Sequence, residues 1–171
     1  MMREQIESAL ADLLNLPLEG TGRAADMQVF EFGAPHTYEI RSGTITAGVC
    51  SLHIQCAWRI SGPQGIIVAS RDRHYPAGDP YNEPPDFDPS GSEVNRRDVR
   101  LQHFLAEHQD SLLTVELVAA DPLGGFRLTL SEGFALEVFP DNSLTSEHWR
   151  LLTRLKDGRH FVVTGEGIEE P

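Results

Sequence analysis

From Cys50 to Ile60 the chain alternates between two kinds of residue. Cys50, Leu52, Ile54, Cys56, Trp58 and Ile60 fall on one side, and Ser51, His53, Gln55, Ala57 and Arg59 on the other. A period of two belongs to a strand, so residues 50–60 read as one strand with an apolar face and a mixed face. Ser61-Gly62-Pro63-Gln64-Gly65 follows and is rich in turn formers. A link this short joins antiparallel neighbours, because a parallel return needs a longer crossover. Residues 66–69, Ile-Ile-Val-Ala, form a continuous apolar run of the kind expected of a strand buried on both sides.

The same patterning divides the rest of the chain. Ile6, Leu10, Leu13 and Leu14 make a helical stripe over residues 2–14, ended by Asn15, Pro17 and Gly20. Residues 20–25 read as a loop. Strands are expected at 27–32, 36–40 and 44–47, with 45–50 continuing into the central strand through a bend at Gly48. Val94, Leu101, Phe104, Leu105 and His108 predict a helix over 93–109, capped by Ser90 or Ser92. Further strands are expected at 112–119, 126–130 and 134–138, the last two joined by Ser131-Glu132-Gly133 as a hairpin turn. Residues 147–155 fit a strand or a short helix, 160–164 fit a strand, and 165–171 read as a loose acidic tail. The expected fold class is α+β. It is one domain over 1–171, with a twisted antiparallel sheet covered by the N-terminal and central helices.

The second half echoes the first. Leu52-His53-Ile54 precedes Trp58-Arg59-Ile60, and Leu136-Glu137-Val138 precedes Trp149-Arg150-Leu151. Either a duplication or two similar hairpins within one sheet would produce this.

Charge narrows the function classes. Asp and Glu number 26 against 14 Lys and Arg, a net charge of −12. This disfavours nucleic acid and anionic membranes, which draw on clustered cations, and permits a basic partner protein. No stretch approaches the 18 or so apolar residues of a membrane span. The N-terminus carries Glu4, Glu7 and Asp12 inside its apolar pattern, unlike a secretory signal. Six residues of strand span about 20 Å. Cys50 and Cys56 would therefore be too far apart for a disulfide, which needs Cα atoms about 4.4–6.8 Å apart. Two unpaired thiols make the cytoplasm the expected compartment.

No catalytic signature stands out: GxSxG, P-loop, HExxH and Rossmann patterns are all missing from the sequence, as are CxxC pairs and EF-hand spacing. No metal or cofactor is expected. The best enzymatic constellation is Asp72 with His74, which would share a strand face, assisted by Arg59 as an anion binder; it would serve a small enzyme or a small-ligand site. Arg96, Arg97 and Arg100 form the one basic cluster, a second place for an anion or simply for local pairing with acidic neighbours.

The binding alternative asks less of the residues and is preferred. Residues 76–92 form a long irregular loop broken by Pro76, Pro80, Pro84, Pro85 and Pro89, and structureless loops beyond about 12–15 residues are usually functional or disordered. Tyr75, Tyr81 and Phe87 would serve as aromatic anchors, and Asp79, Glu83, Asp86 and Asp88 as steering charges for a basic partner. The expected function is a non-catalytic interaction protein, immunity-like in size, charge and class. The segments LHIQCAWRI, IIVASRDRHYP, LEVFPDNS with EHWRLL, and HFVVTGEGI resemble a group of uncharacterised bacterial proteins. That resemblance covers about a third of the chain and implies no activity.

Overall fold

Helix α1, Met2–Leu10, begins the chain and buries Ile6 and Leu10; a 3-10 turn, Ala11–Leu13, carries the stripe on to Leu13. Asn15, with φ of 64°, then turns the chain into the first sheet. The computed structural model describes residues 1–79, 81, 82, 87, 88, 94–154 and 158–169.

Strands follow in close succession: β1 Leu18–Ala24, β2 Met27–Phe32, β3 His36–Ile40, β4 Gly43–Ala47, β5 Cys50–Ile54, β6 Ala57–Gly62 and β7 Gly65–Ala69. After helix α2, Arg96–Glu107, come β8 Val115–Ala120, β9 Phe126–Leu130, β10 Ala135–Phe139, β11 Glu147–Thr153, β12 Arg159–Thr164 and β13 Gly167–Glu169. They form a six-stranded sheet, β1-β2-β5-β11-β12-β13, a five-stranded sheet, β7-β6-β10-β9-β8, and a separate β3–β4 hairpin. Every strand pairing among the described residues is antiparallel. The α+β class holds, as one domain dominated by strands. The expected single sheet is instead two sheets and a hairpin.

The cause lies at Gln55 and Cys56. The amides of both donate to the His148 carbonyl, at 2.7 and 3.2 Å. There the expected single strand 50–60 breaks into β5 in one sheet and β6 in the other. The apolar alternation survives the break, and Cys50, Leu52, Ile54, Cys56, Trp58 and Ile60 are all buried. Trp58 meets Phe30 of the facing sheet edge-on, with ring centroids 5.2 Å apart, and Trp149 meets Phe126 in the same manner at 4.8 Å.

The echo in the sequence is a repeat in the topology. Helix α1 with β1, β2, β5, β6 and β7 has the order of α2 with β8, β9, β10, β11 and β12; the first half adds β3–β4 and the second adds β13. Each half sends its last two strands into the other half's sheet. Register repeats too. Trp149 lies opposite Ile54, Arg150 opposite His53 and Leu151 opposite Leu52; correspondingly, Trp58 lies opposite Val138, Arg59 opposite Glu137 and Ile60 opposite Leu136. The β1–β2 pairing is irregular between Leu18 and Gly20, and β8–β9 between Val115 and Leu117. Where the halves meet, Val115 donates to the Leu16 carbonyl at 3.1 Å and Leu18 to the Leu113 carbonyl at 2.8 Å, a reciprocal pair. Of the two explanations for the echo, similar hairpins within one sheet do not apply, because the matched strands lie in both sheets.

Other expectations are corrected. Residues 20–25 are largely strand β1, held by pairing along β2. The path 45–50 is not one strand: β4 ends at Ala47, and Gly48 packs so closely on Phe32 that a Cβ there would lie 2.5 Å from its carbonyl oxygen. Strand β7 is an edge with Ile66 exposed, not a strand buried on both sides. Helix α2 is capped by Asn95, whose side chain accepts from the Asp98 amide, and not by a serine; Ser90, Ser92 and Glu93 lie outside the described residues. Residues 147–153 are strand, and 167–169 pair with β12 where a loose tail was expected.

Candidate functional site

The proposed catalytic group is not assembled. Residues 70–74 form a 3-10 helix, Ser70–His74, where a continued strand was expected. At three residues per turn, positions two apart point away from each other, so Asp72 and His74 do not share a face. The Asp72 carboxylate accepts from the Ala69 amide at 2.9 Å and pairs with Arg96 at 3.8 Å, while His74 is exposed. Arg59 is committed to Glu137 at 2.7 Å and lies over the Phe139 ring. Glu137 also takes Arg127 at 2.8 Å. The Arg59 hydrogen bond holds the Glu137 carboxyl below its usual range, and Glu137 in turn raises the Arg59 guanidinium.

The basic cluster is structural. Arg96 pairs with Asp72. Arg97, only 1% exposed, donates to the Asp26 carbonyl at 3.3 Å and stands 3.7 Å from Asp98. Arg100 donates to the Ile67 carbonyl. These three side chains fasten α2 to the first half.

The proposed binding loop is placed in part. Tyr81 is 96% exposed and Tyr75 46%, while Phe87 is half-buried. Asp79 and Asp88 are exposed, and the Asp79 carboxylate accepts from the Tyr81 amide at 3.0 Å. Glu83 and Asp86 lie outside the described residues. The loop leaves the body at Tyr75, whose carbonyl takes the Arg96 amide, and at Pro76, which bridges to Asn95.

Neither cysteine forms a disulfide, as the spacing predicted although β5 and β6 are separate strands, and both are buried. Burial pushes the Cys56 thiol up to about 12, with the nearby Asp141 charge adding to it. Among the described residues no three of His, Cys, Asp or Glu gather closely enough to hold a metal ion, and no helix is long and apolar enough to cross a membrane.

One concavity that sequence reasoning missed lies beside α1. It is a groove of about 610 Å³ between α1 and the β11–β12–β13 end of the six-stranded sheet. Leu151, Thr153, Phe161 and Ile168 make its floor, and Ser8 and Ala9 of α1 with Asp12 of the 3-10 turn make one wall. Leu151 and Thr153 are buried, Phe161 and Ile168 half-buried. The lining carries three carboxylates, Glu4, Asp12 and Glu169, against one guanidinium, Arg159, with His160 beside it.

The repeat gives the groove a counterpart in the other half. The matching space in the other half, between α2 and β6–β7, is filled by Phe134. Its ring packs edge-on to Phe104 at 5.4 Å and to His108 at 5.0 Å. Gly62 makes room for it, since a Cβ there would lie 2.8 Å from the Phe134 ring. Carried across by register, Phe134 corresponds to Cys50 and Gly62 to Thr153, which is paired with Cys50. The first half therefore has a thiol where the second has a phenyl ring.

No known family model, curated protein or solved structure matches this chain. The likeness to uncharacterised bacterial proteins rests on the quoted segments alone.

Proposed function

We propose that the protein is a non-catalytic binding protein whose partner is a basic protein segment, and that the α1 groove receives it. One observation carries the reading: the groove has an apolar floor and a lining with three carboxylates against one guanidinium, on a chain of net charge −12. Apolar area supplies affinity and complementary charge supplies rate and orientation. The engagement of Arg59 and Asp72 with other partners argues against the enzymatic alternative. An immunity-like role is one form this function takes.

The experiment begins with affinity capture from the native host and continues with the captured partner in purified form. Glu4→Gln, Asp12→Asn and Glu169→Gln together should slow association and flatten its salt dependence, with the dissociation rate little changed. Association at the wild-type rate would reject the groove. A second surface is favoured by the exposure of Tyr81 and Tyr75. If Tyr81→Ala with Phe87→Ala weakens binding while the groove variant does not, the loop is the contact.

A further inference from the structure

We propose that the β3–β4 hairpin is a self-association arm, on which the open edge of β4 pairs antiparallel with β4 of a second copy of this chain. The repeat marks the hairpin as an addition. Residues 33–49 carry it between β2 and β5, whereas residues 131–134 suffice between β9 and β10. Its direction is fixed at the root. The Arg154 guanidinium donates to the Gly48 carbonyl at 2.8 Å, pairs with Glu31 at 3.2 Å and lies over the Tyr38 ring. Beyond that root the hairpin stands in solvent, with Thr37, Glu39, Thr44 and Thr46 exposed along one face.

A bare strand edge is a template for another strand, and proteins cover or charge such edges. The other edges here are treated that way. On β8, Arg3 donates to the Ala120 carbonyl and Glu7 accepts from the Ala120 amide; on β7, Arg100 donates to the Ile67 carbonyl. β1 carries Glu19 and Arg23, β3 carries Glu39, and β13 carries Glu169. β4, Gly43–Ala47, has no charged residue and, among the described residues, pairs with no strand but β3. Charge then argues for the occupant. Residues 33–49 hold one acidic and one basic residue, Glu39 and Arg41, on a chain of net charge −12. Two copies repel where their acidic surfaces meet, and the neutral hairpin lets them approach. The strand is also self-complementary. Antiparallel pairing about Ile45 sets Ile45 against its own copy and Thr44 against the second copy's Thr46, a favourable cross-strand pair with no like charges opposed. A single strand edge makes a small interface, so the dimer is weak and forms at high concentration.

Sedimentation velocity of the full chain tests this. A monomer–dimer equilibrium should appear as concentration rises. It should tighten as salt is raised from about 0.05 M to about 0.5 M, because screening weakens the repulsion between two acidic copies. Backbone amides of β4 should exchange more slowly in the concentrated sample than in the dilute one. Thr44→Lys with Thr46→Lys, both at exposed positions, sets like charges opposite each other and should weaken the dimer about tenfold or more without changing thermal unfolding. Leu117→Lys, an exposed change on β8, should leave the dimer unaltered. A monomer at every concentration would overturn the arm, as would a dimer that loosens with salt or resists the paired lysine substitutions. If those substitutions unfold the hairpin, the wild-type exchange decides: β4 amides that exchange equally fast in dilute and concentrated samples would overturn it too.

Discussion

The α2 seam and the α1 groove are the same place in two copies of one architecture, and they have opposite surfaces. Around α2, Phe134 fills the space and Arg100 fastens the helix to the Ile67 carbonyl. Around α1, the register places Cys50 at the position of Phe134, and the wall facing the sheet is made by Ser8 and Ala9 of the helix with Asp12 of the 3-10 turn. The backbone framework is shared down to the irregularity at the start of β1 and of β8. A few side chains thus decide whether a helix–sheet junction becomes core or cavity. One half serves as a packed support and the other keeps an opening.

The tryptophans give the largest test of that equivalence. Trp58→Ala and Trp149→Ala should each cost about 3–5 kcal/mol in urea unfolding, since each fills the core against a phenylalanine of the facing sheet. A cost below about 1 kcal/mol at either site would break the structural correspondence. Next comes the difference itself. Phe134→Ala should cost about 3 kcal/mol and open a second cavity beside α2, whereas Cys50→Ala should cost about 1 kcal/mol. Equal costs would show that Phe134 is not what closes the seam.

A smaller effect is expected on the open side. Ala9→Leu places a larger apolar side chain in existing space and should change stability by no more than about 1 kcal/mol. A large loss there would mean that the groove wall is tightly packed.

The pH dependence should also be modest. Glu137 has a depressed carboxyl in the folded state, so its contribution is present above the unfolded value near pH 4.3 and fades as acid protonates it. His53 is lowered mainly by burial and next by Arg150, so it too favours the folded state above about pH 6.5 and loses that contribution on acidification. Stability measured from pH 7 to pH 3 should therefore fall, and Glu137→Gln should flatten the lower part of the curve. Last, thiol titration of the native protein should label Cys50 and Cys56 slowly, because both are buried and the Cys56 thiol is held protonated. Rapid labelling of Cys50 would show that the groove reaches deeper than its visible floor.

Alternation made most strands legible, and β2, β3 and β9 fall where the pattern puts them. It could not reveal the change of sheet at Gln55, because an inward-facing residue stays inward on either side of the break. Burial has a period; sheet membership does not. β1 escaped notice because Glu19, Gly20 and Gly22 carry little strand preference, and the strand's conformation is imposed by β2. β13 is similarly imposed by β12. The pairing of Asp72 with His74 failed because the strand was extended past Ala69 into a 3-10 turn. The groove was illegible for a different reason. Its residues come from three separate stretches, and Ser8 and Ala9 look like any solvent-facing helix positions. The one readable trace of the architecture was the Trp-Arg-aliphatic triplet occurring twice.

The exchange of strands between halves also sets a condition on synthesis. Strand β6 finds its neighbour β10 only after residue 139 has been made, more than seventy positions later. At the usual pace of translation, about 5–20 residues per second, that delay is on the order of ten seconds. Until then β6, with Trp58 and Ile60, belongs to a nascent chain with one open flank and has β7 on its other side. The final structure is a handclasp that neither hand can hold alone. Premature termination after the first half would release a product with a sticky edge shaped to seize another copy of itself.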